Sequence, residues 1–266
     1  MIELCEEKNK NVVINYIGED YPKCLYLYLD IIKYGCQSDT TRTWIQSRND
    51  EITSVVLAYH TAIHVFSRDN EFDVLELADL LVKINPTIIN ARLETIKRIE
   101  PILKGKGFLS EFGHVGEWME DDTSWTQDKD IDLANENDIP QIADLLYEDE
   151  DIGASYVYED LLHQIKERLE EGFTRSYVIR KGDKVIAHVG TGAETDKVCT
   201  IAYTITAQDF RGQGLAKKLY NHACGILRKE GKRVFSVYYP ENAYKFHHKV
   251  GFSDICEFGK LFKNVQ

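Results

Sequence analysis

The run Arg211-Gly212-Gln213-Gly214-Leu215-Ala216 puts an arginine and two glycines directly ahead of a helix-forming stretch, Lys217-Lys218-Leu219-Tyr220. Glycine lets backbone amides approach a ligand with no Cβ in the way. A helix N-terminus adds free N–H groups and about half a positive charge, which together favour an anion. Arg211 can clamp a phosphate bidentately, and Lys217 and Lys218 add local positive charge. Each charge-assisted hydrogen bond of this kind nets roughly 1.5–3 kcal/mol, so three or four hold a pyrophosphate. The residues alone leave two readings open, an anion cradle or a tight turn that merely starts a helix. The Walker pattern G-x-x-x-x-G-K-[ST] is absent. The dinucleotide pattern G-x-G-x-x-G also fails, because Lys217 stands at its third glycine.

The elements that must present this turn are legible from periodicity. A strand over 198–206 leads into it. The helix that follows carries Leu215, Leu219, Ala223, Ile226 and Leu227 on one face and stops at Gly231. A buried-type strand, "RVFSVYY", comes next, then a short helix over 242–250 closed by Gly251. Upstream, helices are predicted over 139–147, with Asp138-Ile139-Pro140 as cap and first turn, and over 158–171. Strands are predicted over 177–180 and 185–191. Alternating strands and helices predict an α/β (α+β) domain with a mostly antiparallel front and a strand–helix–strand rear.

The first half repeats part of this pattern. "TRTWIQSRNDEITSVVLAY" (Thr41 to Tyr59) parallels "TRSYVIRKGDKVIAHVGTG" (Thr174 to Gly192). At one constant offset Thr41 matches Thr174, Arg42 matches Arg175, Trp44 faces Tyr177 and Asp50 matches Asp183. Each stretch reads as a hairpin, and each follows a helical segment, "PKCLYLYLDIIKYG" or "EDLLHQIKERLEEG". The acidic, glycine-containing stretch Gly113 to Asp130 reads as a linker, which divides the chain into domains 1–126 and 127–266.

Composition narrows the function classes. The 266 residues are 43% apolar and carry a net charge of −12, which argues against general nucleic-acid binding. The charge is uneven: residues 204–266 hold 11 basic against 5 acidic groups, whereas residues 127–203 hold 8 against 18. One region is suited to an anion and the one before it to a cation. No apolar run approaches the ~20 residues of a membrane helix, and no signal-peptide pattern opens the sequence. The six cysteines show no metal-ligand spacing. They are expected to be free thiols in a reducing cytoplasm, and no metal site is expected.

The run Arg211 to Ala216 resembles the R-x-x-G-x-[G/A] signature of the GNAT N-acetyltransferase superfamily, and "AYKFHHKVGF" (Ala243 to Phe252) resembles its second hallmark, A-x-x-x-Y-x-K-x-G-F. The resemblance covers roughly 130–266. Residues 1–112 show similar order but carry "SRDNEFDVLELADLL" where the loop should be, so two GNAT-like modules are expected, the first degenerate. For this chain the resemblance implies acetyl-CoA as cosubstrate. The main chain of Thr204, Ile205 and Thr206 would pair with the pantetheine arm. Arg211, Gly212, Gln213, Gly214, Leu215 and Ala216, with Lys217, would hold the pyrophosphate. The tyrosine that many relatives use as an acid is here His247, whose imidazole can donate to a thiolate; Tyr244, one turn earlier, is the other candidate. Pro240 stands where many relatives have an asparagine, and Asn242 is the nearest substitute.

Direct attack by a neutral amine needs no nucleophilic cysteine, so Cys199 and Cys224 are expected to be packing residues. His188 is expected to be a core histidine and Glu194 an exposed one. The connection Tyr147 to Asp160 interleaves carboxylates with tyrosines. One reading is an exposed acidic loop; the other is a field for a cationic amine, with Tyr156 and Tyr158 against its alkyl part. The expected function is transfer of acetyl to a small amine, with no nucleic-acid or membrane partner and the first half shaping the acceptor cleft or a homodimer contact. The alternative is a non-catalytic CoA-binding regulator or sensor.

Overall fold

A computed structural model describes residues 1–120, 128–153, 156–239 and 241–263. The chain divides into two units, each assembled from separate stretches of sequence. The expected boundary at 126/127 lies outside the described residues.

The N-terminal unit comprises Met1–Val115, Tyr238–Tyr244 and Asp254–Asn264. In chain order it begins with β1 (Ile2–Leu4), α1 (Lys10–Ile17), α2 (Leu25–Tyr34), β2 (Thr41–Arg48), β3 (Glu51–Tyr59) and β4 (Ala62–Phe66). It continues with α3 (Val74–Ile84), β5 (Ile88–Arg92), α4 (Leu93–Leu103) and β6 (Phe108–Trp118), whose last three residues count with the other unit. The C-terminal unit holds β7 (Ile131–Leu133), α5 (Ile139–Tyr147), α6 (Glu150–Gly153), α7 (Tyr158–Glu170), β8 (Ser176–Lys181) and β9 (Lys184–Glu194). After these come β10 (Val198–Thr206), α8 (Leu215–Lys229) and β11 (Arg233–Tyr238). Then follow α9 (Glu241–Lys249) and β12 (Phe252–Lys263), both of which divide between the units. Each half thus runs strand, helices, three antiparallel strands, helix, parallel strand, helix, strand: two GNAT-like modules.

The paired hairpins share more than their order. β2–β3 turns through Asn49 (φ 51°) and Asp50 (φ 64°), and β8–β9 turns through Gly182 (φ 62°) and Asp183. Two-residue turns with positive φ match the twist of the flanking strands. The ladder shifts register between Gln46 and Ser47 in the first hairpin and between Ile179 and Arg180 in the second. Those positions are separated by the same offset that aligns the sequences. A bulge re-aims a strand, so it persists only where the fold uses it.

In the C-terminal unit the strand order is β11-β10-β9-β8-β7. One core, around Tyr177, Ile201, Leu219, Leu227 and Val234, lies under α8; a second, around Ile142, Leu146, Leu161 and Val178, lies under α5 and α7. The stripe predicted on α8 builds the first: Leu219, Ala223 and Leu227 are fully buried, each leucine contributing roughly 1.5–3 kcal/mol. Asp138 is the N-cap residue of α5 and Ile139-Pro140 opens its first turn, as expected, but the Asp138 side chain caps no amide of α5 and instead closes a capping box in the preceding turn. There Asn135 accepts from Asn137 N–H (2.9 Å) and Asp138 accepts from Asn135 N–H (2.7 Å). The same Asp138 carboxylate also accepts from Arg180, through Nε and Nη2.

The N-terminal unit orders its strands β1-β2-β3-β4-β5-β12. Its further partner for β5 is the last strand among the described residues: β12 runs antiparallel, with Phe258 opposite Arg92 and Phe262 opposite Ile88. Leu261 is buried in the same core as Ile89, Ile96 and Leu103. The expected linker Gly113 to Asp130 begins as strand, since Gly113–Trp118 lie in β6 with Val115 and Trp118 buried. Its acidic residue Glu117 accepts two hydrogen bonds from Arg233, at 2.7 and 2.6 Å. Residues 121–127 of that stretch lie outside the described residues.

Candidate functional site

β10 and β11 run parallel from Val198 opposite Arg233 to Ile201 opposite Ser236, and then separate. The five residues Ala202 to Thr206 continue β10 with no partner on the β11 side, while β9 pairs with Ile205 and Thr206 on the other. Between Ala202 and Ile205 the β9 ladder shifts, and Tyr203 adopts φ 54°, a bulge that turns its main chain. Thr204, Ile205 and Thr206 are therefore an open strand edge at a splay.

The strand delivers the chain to the glycine turn. Gly212 (φ 77°) and Gly214 (φ 79°) are both left-handed, with open space where a Cβ would stand. Gly214 is the N-cap of α8 and no side chain caps the helix, so its first-turn N–H groups face outward, an anion site by charge and by donor count. A groove of ≈ 360 Å³ opens there, lined by Gly212, Gly214, Leu215 and Ala216 and bearing Arg211, Lys217 and Lys249 as its cations. Arg211 donates from Nε to Thr206 O (3.0 Å) and from Nη2 to Asp149 Oδ2 (3.0 Å). Lys218 turns away to Asp128 and Asp130. Lys249 and the aromatic wall of Phe210 and Phe246 were missed in the sequence; Lys249 is the lysine of the second hallmark.

At the floor of the splay a polar cluster is buried. His247 Nε2 lies 3.0 Å from both Tyr220 Oη and Ser236 Oγ. Thr204 donates to Tyr220 Oη at 3.1 Å, and Ser236 donates to Ile201 O at 3.2 Å. Of the two acid candidates, His247 is the one the structure places with a hydroxyl. Tyr244 instead packs against His114 and Tyr238, and Asp254 raises its phenol above the usual range. Asn242 is exposed on the first turn of α9, and Pro240 lies outside the described residues. Tyr220 escaped the sequence reading because it belongs to neither hallmark. Its signal is a tyrosine one residue after Leu219 on the buried face of α8.

A second cavity, of only ≈ 20 Å³, lies between α5, α7 and β8–β10, with Leu146, Leu161, Ile165 and Tyr203 as apolar walls and His188 on its floor. His188 is a satisfied buried histidine: Nδ1–H donates to Tyr203 O (2.7 Å) and Nε2 accepts from Ser176 (3.0 Å). Burial pushes its pKa down to about 4. Glu194 is not exposed, its side chain being 8% accessible. Burial opposes its charge, but Arg175, Lys232 and Thr191 hydrogen-bond it and hold its carboxyl below the usual range. Tyr158 donates to Asp144 (2.7 Å) and packs on Tyr147, so it is committed to the protein. The six cysteines are free thiols, and burial pushes Cys199 and Cys224 up, which withholds a thiolate. Among the described residues no group of three His, Cys, Asp or Glu side chains is placed to hold a metal, and no helix is long and apolar enough to cross a membrane.

Residues 139–252 match the model of the acetyltransferase (GNAT) family. That stretch is thus similar to a GNAT acetyltransferase domain. The fold is shared with a GNAT-family acetyltransferase from Colwellia psychrerythraea (TM-score 0.60, 13% identity, 99% of this chain and 100% of that one). It is shared also with a GCN5-related N-acetyltransferase from Sphaerobacter thermophilus (TM-score 0.62, 11% identity, 100% and 96%). A tandem GNAT protein from the clavulanic acid biosynthesis pathway matches over the same span (TM-score 0.58, 11% identity, 98% and 97%). No curated protein matches the sequence.

Proposed function

We propose that the C-terminal module is an acetyl-CoA-dependent N-acetyltransferase that passes acetyl to the amine of a small, cationic acceptor by direct attack. The observation that carries this is the α8 N-terminus: left uncapped behind two left-handed glycines, it opens on a groove with Arg211, Lys217 and Lys249. Acetyl-CoA would supply an activated acyl thioester there. Arg211 to Lys217 hold its pyrophosphate, with Arg211 leaving Asp149 to do so. The open edge of Thr204, Ile205 and Thr206 orients the pantetheine arm as an added strand. The buried cluster of His247, Tyr220 and Ser236 supplies the proton that the departing thiolate needs. The carboxylates of the α5–α7 connection favour a cation at the acceptor side.

The first module is read as a degenerate copy. The N-terminus of α3 is already capped by an anion of its own, Asp73, which accepts from Leu75 N–H and Glu76 N–H at 3.1 Å each. β4 stops at Phe66, two residues past its last pairing with β5, so it offers no free strand edge comparable to β10. One observation favours the second reading, a CoA-binding sensor: His247 is 7% exposed and already engaged by two hydroxyls. The thermal midpoint with and without acetyl-CoA, for the natural protein and for Gly214→Glu, tests binding. A ligand at 100 times its Kd adds about 2.7 kcal/mol. No shift in either protein sinks both readings; a shift without transfer to any of a broad amine panel leaves the sensor.

A further inference from the structure

The aligned hairpins provide an internal comparison. In the C-terminal module Arg175 sits inside a closed acidic clamp. It donates to Glu194 through Nε (2.9 Å) and Nη2 (2.7 Å), and to Glu230 through Nη1 (2.8 Å) and Nη2 (2.7 Å). Beside it Tyr177 is 2% exposed. Glu230 is the C-cap residue of α8.

The N-terminal module keeps the arginine and removes the clamp. Arg42 stands at the position of Arg175 and Trp44 at that of Tyr177. Thr61 takes the place of Glu194 by the same offset, and Asn85 is the C-cap residue of α3. Lys83, two residues before that cap, adds a second cation, and His60 a third nitrogen group. Arg42, Trp44, His60 and Lys83 line a groove of ≈ 550 Å³, open to solvent, with Leu80 and Ile84 on its α3 side and Asp39 as the one acidic group on its wall. Trp44 is half-buried, one part packed on the core beneath and the rest facing the groove. Among the described residues the side chains of Arg42 and Lys83 have no hydrogen-bond or ion-pair partner. An arginine fork that one module satisfies with two carboxylates is presented in the other to whatever enters.

We propose that this groove binds a small organic anion, a carboxylate joined to a flat apolar body. The carboxylate takes at Arg42 the place that Glu194 and Glu230 hold at Arg175, in bidentate geometry, with Lys83 beside it. The flat body lies on Trp44, whose indole is the floor of the groove. The site belongs wholly to the N-terminal module and owes nothing to acetyl transfer.

Naphthalene-2-carboxylate, titrated into the full chain by calorimetry, is the probe, with the neutral naphthalene-2-carboxamide as control. The carboxylate should bind, and the amide at least about tenfold more weakly, since a charge-assisted hydrogen bond is lost. Arg42→Gln and Lys83→Gln should each weaken the carboxylate by about tenfold or more. Both side chains are exposed, so the melting temperature of each variant should match the natural protein. Absence of binding, equal binding of acid and amide, or undiminished binding by Arg42→Gln would overturn the site.

Discussion

Replacing His188 by glutamine should flatten the loss of stability on mild acidification. Burial pushes the imidazole down from 6.5 to about 4, and the hydrogen bond to Tyr203 O offsets this only in part. Above pH 6.5 the ring is neutral in the folded and the unfolded chain and adds no pH dependence. As pH falls from 6.5 to about 4 the unfolded chain takes up a proton that the folded chain refuses, so stability falls. Below about 4 both forms bind it and the loss stops. One unit is worth about 1.36 kcal/mol, so the part lost between pH 7 and pH 5 comes to about 2 kcal/mol. Glutamine can donate to Tyr203 O, accept from Ser176 and never titrate in this range. Asp138, Glu194 and Glu230 have carboxyls held below their usual values and titrate lower still. His222, also lowered by burial, is present in both proteins and cancels. Urea unfolding at the two pH values gives the numbers. If the natural protein and His188→Gln lose the same stability, to within about 0.5 kcal/mol, then His188 is hydrated or charged in the fold and the reasoning fails.

Tyr220→Phe removes the hydroxyl between Thr204 and His247. Acetyl transfer should slow roughly 10- to 100-fold in kcat with acetyl-CoA affinity unchanged, and an unaltered kcat would take Tyr220 out of the proton path. Asp73→Ala leaves the Leu75 and Glu76 amides of α3 uncapped and should cost about 1 kcal/mol in urea unfolding, without creating acetyl-CoA binding in the first module. Arg175→Met leaves the buried Glu194 carboxylate with only Lys232 and the Thr191 hydroxyl and should cost about 3 kcal/mol, seen as a lower melting temperature.

The hairpins, the α8 stripe and the glycine turn were legible because each is local. Turn residues, period and breakers lie within about a dozen positions, and the physics that fixes them acts at that range. What the sequence hid is long-range pairing. Glu194 reads as a loop acid until Arg175 and Lys232 close around it, and Glu117 reads as part of a linker until Arg233 holds it inside a strand. Tyr220 reads as one more helix aromatic until the fold sets His247 against its hydroxyl. Arg211 was legible as a cation at the mouth of α8, but not its ion pair with Asp149.

The place of β12 bears on how the chain is made. Synthesis supplies the strand that flanks β5 only after every other helix and strand of the second half. Until then the earlier module waits with an edge unzipped and the Leu261 seat in its core empty. The half that is translated first is therefore the half that matures last, and a stop codon before Phe258 should spoil a module whose own coding region is intact.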